Sequence, residues 1–410
     1  MKFFIARLVG LSIVFVLSTS VVRGQFVYIP DSAFRSFLIS DGFAPAFNGD
    51  SLDTTSVMVT TTTVLNCSGW GIHSLEGIQY FDQLMSLDCS VNYLSTLPQL
   101  PATLDALYCQ KNLFSTLVNL PTNLKYLYCG HNPLFNLPSL PFSLTVLSCE
   151  NDELSSLPNL PPSLLTLICD SNHIQSLNNL PNNLQYLWCN YNLLDSLPSI
   201  PHSLYALSAT NNQLTNLPAL PDSLNSLGVS YNPLQYLPAL PSQLIYLYCE
   251  SIGMDTLPQL PDSLVYLYAS SNNLTFLPPL PQTLSALFIS GDPILILPTL
   301  PIGLLTLNCS FTKIRSIPPL PPYLTLLYCT QDSLSSLPIL PSTLKNLACA
   351  GNLIQELPSL PDSMMQLFIS INPIQCLPPI SFINQFSFSS TLISCLPNSI
   401  SIGDFSALAH

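Results

Sequence analysis

The chain has 410 residues, of which only 8% are charged and 48% are hydrophobic, with 39 prolines. That much proline alone would suggest disorder, but disorder also needs low hydrophobicity, and the mean hydropathy here is +0.41. The formal net charge is −13, from 22 acids and 9 bases scattered singly. No basic face exists to neutralise phosphates or anionic lipid, which disfavours nucleic acid and charged membrane surfaces as partners.

The first 25 residues read as a secretory signal. Lys2 and Arg7 give a basic start, an apolar stretch runs from Leu8 to Val22, and Arg23-Gly24-Gln25 follow. The competing reading is a membrane anchor. The run is interrupted by Ser12, Ser18, Thr19 and Ser20 and falls short of the roughly 20 apolar residues that span a bilayer. Cleavage is expected near Gly24 or Gln25, leaving a secreted or cell-surface protein without an integral span.

Residues 26–61 read as an N-terminal cap. Phe34, Phe37 and Leu38 follow Asp31 at helical spacing, which predicts a short capping helix. The Thr- and Ser-rich stretch 41–63 predicts a loop and one edge strand. A first, irregular repeat occupies 62–83 and carries Leu65, Cys67, Ile72 and Leu75.

From Leu84 the chain repeats with a period of 20. Residues 121–140, PTNLKYLYCGHNPLFNLPSL, and 181–200, PNNLQYLWCNYNLLDSLPSI, show the pattern. The leading leucine recurs through Leu344 and is replaced by Met364, which makes fifteen coils over 84–383. In one coil Leu104, Leu107, Cys109, Leu113 or Phe114, Leu117 and Leu120 mark the inward set. No single coil can bury these residues alone, so stacked neighbours must supply the core. Ala106-Leu107-Tyr108-Cys109 alternates with period two and predicts a short strand, repeated in parallel along the stack.

Asn follows the strand in ten coils, from Asn92 to Asn372, with Asp152, Asp292 and Asp332 as substitutes and breaks at Ile252 and Thr312. Stacked amides there would satisfy turn backbone that burial would otherwise orphan, and each break predicts a local irregularity. The return, as in Leu137-Pro138-Ser139-Leu140-Pro141, is predicted to be extended and polyproline-like because proline fixes φ and removes a donor. Val118 and Asn178 replace its first proline.

This 20-residue unit resembles the LPxLP leucine-rich repeats of the YopM and IpaH bacterial effectors. The resemblance implies a leucine-rich-repeat solenoid, an α/β-class horseshoe with parallel strands on the concave face. Tyr28-Ile-Pro-Asp-Ser-Ala-Phe-Arg-Ser-Phe-Leu38 and Leu75-Glu-Gly-Ile-Gln-Tyr80 resemble the start of secreted leucine-rich-repeat proteins of Bacteroidota. Such proteins often end in a sorting domain, and none is visible here. Residues 384–410 read as a degenerate turn around Ile393-Ser-Cys-Leu-Pro397, beyond which the natural chain could continue past His410.

The sequence offers little for catalysis. His73, His131, His173, His202 and His410 have neither zinc-ligand nor catalytic spacing, no GxSxG or HExxH motif occurs, and no segment corresponds to the ligase domain that some LPxLP proteins carry. A non-enzyme without cofactor or metal is expected. Ten of the 13 cysteines share one repeat position, which Ala209, Val229, Ala269, Ile289 and Ile369 fill elsewhere. That interchange points to buried thiols whose parallel Cβ vectors disfavour disulfides. Cys376 and Cys395, at different positions, form a candidate disulfide.

Leu107 and Cys109 point inward, so position 108 points out. Its column contains Tyr108, Tyr128, Trp188, Tyr248, Tyr268, Phe288, Tyr328 and Phe368, and the column two residues earlier adds Tyr126, Tyr186, Tyr246 and Tyr266. Such a surface suits a recognition face, since Tyr and Trp dominate interface hot spots. The competing reading is that aromatics suit exposed strands and were copied with the repeat. The expected function is protein binding at the cell surface or outside the cell. Glycan binding is the first alternative, and a host-directed effector without a ligase domain is the second.

Overall fold

The structure is a computed structural model that describes residues 26–118, 120–380, 383–395 and 402–404. The signal segment expected at 1–25 lies outside the described residues.

The N-terminal cap begins with strand β1 (Phe26–Tyr28), helix α1 (Ser32–Leu38) and strands β2 (Phe47–Asn48) and β3 (Ser51–Asp53). β3 pairs antiparallel with both β1 and β2. Asp31 caps α1 by accepting the Phe34 N–H at 2.8 Å, and Phe34, Phe37 and Leu38 are buried. A second helix, α2 (Val57–Thr61), occupies part of the segment expected to be loop and strand. The Thr60, Thr61 and Thr62 hydroxyls donate to the carbonyls of Ser56, Val57 and Met58 respectively. These side-chain bonds support a helix that β-branched residues would not favour by propensity.

The solenoid sheet starts at β4 (Val64–Asn66) and β5 (Ser86–Asp88). Strands β6 to β19 are three residues each, recurring every 20 residues from Ala106–Tyr108 to Gln366–Phe368. Each strand pairs in parallel with the next, leucine opposite leucine, as in Leu107↔Leu127 and Leu247↔Leu267. The longer first coil carries a short 3-10 turn at Ile78–Tyr80 in its return. The sheet also continues past the fifteenth coil. β20 (Ile383–Ser387) sets Phe386 opposite Leu367, and β21 (Ile402–Asp404) pairs with β20 through Ile383↔Ile402. The region read as a degenerate turn thus contains a further coil, with phenylalanine in the place of the strand leucine.

The core is a continuous column. Leu104, Leu107, Cys109 and Phe114 are fully buried, Leu117 nearly so, and Leu120 packs half-buried against them. Phe114 takes the inward place and Leu113 is 53% exposed, which resolves the ambiguity at that position. Each buried leucine contributes on the order of 1.5–3 kcal/mol, and it does so only because neighbouring coils cover it.

The turn after each strand is held by the asparagine row. Asn112 donates through Nδ2 to the carbonyls of Cys89, Cys109 and Gln110, and its Oδ1 accepts the Leu94 N–H at 2.9 Å. Asn172, Asn192, Asn212, Asn232 and Asn352 repeat the Nδ2 arrangement. The residue just before this position has positive φ in every one of the fifteen coils, including Val91, Lys111, Phe311 and Ile371 as well as Gly291 and Gly351. Both breaks are locally irregular. Beside Ile252, Gln235 turns to φ 66 and donates its N–H to the Ile252 carbonyl. At the other break the Thr312 N–H and hydroxyl both donate to Asp332.

Candidate binding face

Alternation along each strand decides what the sheet presents. The central leucine and the residue two positions on are buried, so positions such as 246, 248 and 250 line the opposite face. Parallel pairing in register then sets like positions side by side: Tyr246 lies opposite Tyr266, and Tyr248 opposite Tyr268. At the roughly 4.8 Å spacing of neighbouring strands, flat side chains in adjacent rows meet face to face.

The rings follow this geometry. Tyr246 and Tyr266 stack at 4.9 Å between centroids with planes 3° apart. Tyr248 stacks on Tyr268 at 4.8 Å, and Tyr268 on Phe288 at 4.5 Å. A second stack pairs Tyr108 with Tyr128 at 4.9 Å, with Tyr126, 40% exposed, beside it. A third group joins Tyr186 to Trp188 at 5.5 Å. Tyr328 and Phe368 make no ring contact among the described residues; Tyr328 lies between Asn308 and Ala348, and Phe368 between Ala348 and Ser387. The twelve aromatics of the two columns therefore form three patches and two isolated rings, separated by Ser148, Ile168, Ser208 and Gly228 in the column of Tyr248.

One aromatic falls outside the two columns. Tyr205, 46% exposed, meets Tyr186 edge-on at 5.9 Å. It precedes Ala206, which lies opposite Tyr186, so its adjacency follows from register, whereas the period-two columns skip its position.

The third outward column is polar, and it contains Glu150, Asp170, Asn190 and Glu250. Glu150 accepts a bond from the Ser148 hydroxyl and folds over Gly130, where a Cβ would lie 2.7 Å from the Glu150 carboxyl carbon. Asp170 accepts the Asn190 N–H at 2.6 Å. Burial holds the carboxyls of Asp170 and Glu250 above the ordinary range. Burial and neighbouring tyrosines also raise the phenols of Tyr128 and Tyr248.

Behind this face run the thiols. Cys89 through Cys189, and Cys249, Cys309, Cys329 and Cys349, are buried and unpaired, as is Cys67. Cys149, Cys189 and Cys309 each lie 3.5–3.6 Å from a carbonyl of the next strand. Burial pushes these thiols up, Cys67 and Cys349 to about 12, which removes the thiolate that reactivity requires. Cys376 and Cys395 are joined as a disulfide with Cα atoms 4.8 Å apart. Among the described residues no three His, Cys, Asp or Glu side chains converge to hold a metal ion, and no helix is long and apolar enough to cross a membrane. The His131 ring lies 3.5 Å from the Asn151 amide, and the His173 ring 3.4 Å from the Glu153 carboxylate.

No protein-family model matches the chain, and no curated protein matches it. Solved structures do. YopM from Yersinia enterocolitica WA-314 is 33% identical over 80% of this chain and 75% of its own, with a TM-score of 0.78. The chain belongs to the bacterial leucine-rich-repeat family of YopM. Two more distant leucine-rich-repeat structures share the fold. The functional domain of InlJ from Listeria monocytogenes, described as including a cysteine ladder, is 23% identical over 86% of this chain and 81% of its own, with a TM-score of 0.57. The plant peptide hormone receptor RGFR1, solved in complex with RGF2, is 18% identical over 79% and 64%, with a TM-score of 0.51.

Proposed function

We propose that this leucine-rich-repeat protein is a protein-binding module of the cell surface or extracellular space, and that its concave aromatic face is the contact surface. The observation that carries this reading is the pre-stacked set Tyr246, Tyr248, Tyr266, Tyr268 and Phe288. Rings already held against one another lose little freedom when a partner lands on them, and that lowers the entropic cost of association. RGFR1, a peptide hormone receptor solved in complex with RGF2, has the same fold. The alternative, glycan binding, draws on the same rings as stacking platforms and on Glu150, Asp170 and Asn190 as hydroxyl partners.

The test compares the wild-type chain with a variant in which Tyr246, Tyr248, Tyr266 and Tyr268 are all Ser. Each is used in cross-linking pull-down from the medium and surface fraction of its own cells, and each is applied to a glycan array. Loss of a protein partner on substitution supports the reading. Full retention of every partner by the folded variant refutes the assignment of the face, and loss of a glycan alone transfers the face to the alternative.

A further inference from the structure

The stack Phe288–Tyr268–Tyr248 runs from strand to strand and then stops. Its rings are nearly parallel and spaced like the strands, so their faces are turned along the sheet. The next outward residues, in register with Tyr246 and Tyr248, are Ser226 and Gly228, followed by Ala206 and Ser208. No ring covers the Gly228 side of Tyr246 or Tyr248 among the described residues. The next outward ring in the column of Tyr248 is Trp188, three strand spacings or about 14 Å away.

Charge selects what would fill this slot. No Lys or Arg stands at any outward strand position from 86–90 through 366–370, whereas Asp88, Glu150, Asp170 and Glu250 do. Glu250 is two residues beyond Tyr248 on the same face. Its backbone N–H is held by the Ser230 hydroxyl at 3.0 Å, and its carboxylate forms no hydrogen bond or ion pair among the described residues. The chain as a whole is at −13. Stacked aromatic faces beside an unpaired carboxylate match a planar cation, and guanidinium is the side-chain group that stacks on rings while pairing with a carboxylate.

We propose that the slot over Ser208 and Gly228 seats an arginine side chain of a basic protein partner, stacked on Tyr246 or Tyr248 and paired with Glu250. This rests on the concave face being the binding surface. Ser208 is already committed through its hydroxyl to Asn190 at 2.7 Å, so the floor is fixed, and the ring face and Glu250 supply recognition.

The experiment titrates the full chain with capped tetra-arginine peptide by calorimetry at 50 mM and 500 mM NaCl, with tetra-lysine and tetra-citrulline as comparators. The informative variants are Gly228→Tyr, Glu250→Gln and the distant Glu150→Gln. At Gly228, a buried position, a new Cβ meets the Ser208 hydroxyl at 3.1 Å, the Thr210 hydroxyl at 3.6 Å and the Ser208 Cα at 3.8 Å. Ser208 must yield by a few tenths of an ångström for a tyrosine to extend the stack into the slot. The thermal unfolding midpoint of Gly228→Tyr is therefore measured alongside binding, and Glu250→Gln carries the test if that variant does not fold. The expected result is tetra-arginine binding at least tenfold tighter than tetra-lysine, with no citrulline binding. Gly228→Tyr should weaken it at least tenfold and Glu250→Gln about fivefold, while Glu150→Gln leaves it unchanged. Equal affinity for arginine and lysine overturns the proposal, as does full binding by Gly228→Tyr. A neutral oligosaccharide that Gly228→Tyr displaces, with no arginine binding, overturns it too and assigns the slot to a sugar ring. If the peptide fails while the four-tyrosine variant still loses its protein partner, the face stands and only the arginine is wrong.

Discussion

Asp332 accepts both the backbone N–H and the hydroxyl of Thr312 on one carboxyl oxygen, at 2.6 and 2.7 Å, while its other oxygen is buried without a partner. Asp152 and Asp292 share that condition. All three occupy the row in which asparagine turns an Nδ2 donor toward three carbonyls, so an ionised carboxylate there meets acceptors instead of donors.

Burial accordingly raises Asp152 to about 7 and Asp292 and Asp332 to about 6. Their folded-state values exceed the unfolded value of about 3.9, so the protonated form is the one that stabilises. That stabilisation is complete below about pH 4 and is lost as pH rises through about 6 to 7. Replacing each by Asn should raise stability at pH 8 by about 1–3 kcal/mol, the cost of an unpaired buried polar group, and should gain little at pH 4. Thermal unfolding of single variants at both pH values checks this; an equal gain at the two would remove ionisation as the cause.

The left-handed residue of each coil supplies a second prediction. Val91 and Ile371 are β-branched at φ 55 and 56, a conformation that costs such residues about 1–3 kcal/mol. Val91→Gly and Ile371→Gly should therefore stabilise by up to about 1 kcal/mol after the unfolded chain's added entropy is counted. Gly291→Val should do the reverse. Chemical denaturation midpoints at constant slope decide the sign.

At the N-terminus, Asp31 uses both carboxyl oxygens. One accepts the Phe34 N–H, and the other accepts the N–H groups of His73 and Ser74 at 2.8 and 3.0 Å. The helix cap and the tie to the first coil are thus one residue. Asp31→Ala should cost about 2–3 kcal/mol, a capping loss plus orphaned backbone donors. Because repeats are coupled to nearest neighbours, hydrogen exchange should accelerate first in the coils near residue 72 and leave those near 300 protected. Uniform acceleration would count against a local tie.

Thiol chemistry gives a fourth. Native protein at pH 8 should leave the eleven buried cysteines unlabelled by iodoacetamide for hours, since burial suppresses the thiolate. Two further thiols, Cys376 and Cys395, should appear on mild reduction without unfolding, because both are exposed. Mass spectrometry of labelled peptides reads the pattern directly, and labelling of Cys109 or Cys129 in folded protein would contradict a dry core.

Much of the fold was legible because the period of 20 places each repeat position in one environment fifteen times over, with leucine at the core positions and asparagine and cysteine at theirs in ten coils each. Helix α2 was not, since its threonines favour strand or loop until their hydroxyls find carbonyls one turn back. Phe386 hid the extra coil by standing where leucine was expected. On the aromatic face the columns could be read from alternation, but not their breakage into patches, which depends on which neighbour across the strand gap is a ring and which is Ser or Gly. Tyr205 lay one position off the count, and only register brings it to Tyr186.

The uniform register of β5 to β19 also bears on how such a molecule changes in length. A leucine on one strand finds an equivalent leucine on any other, so removing or duplicating a 20-residue unit regenerates the same junctions on either side. Apart from the two breaks at Ile252 and Thr312, the sequence-unique contacts lie at the ends, in Asp31 with the first coil and in Phe386 beyond the last. Recombination within the gene can therefore lengthen or shorten the array while the two termini stay fitted, and each such event moves whole tyrosine patches nearer or farther apart by a fixed step. A lineage can reset the spacing of its aromatic patches without altering a single side chain within them.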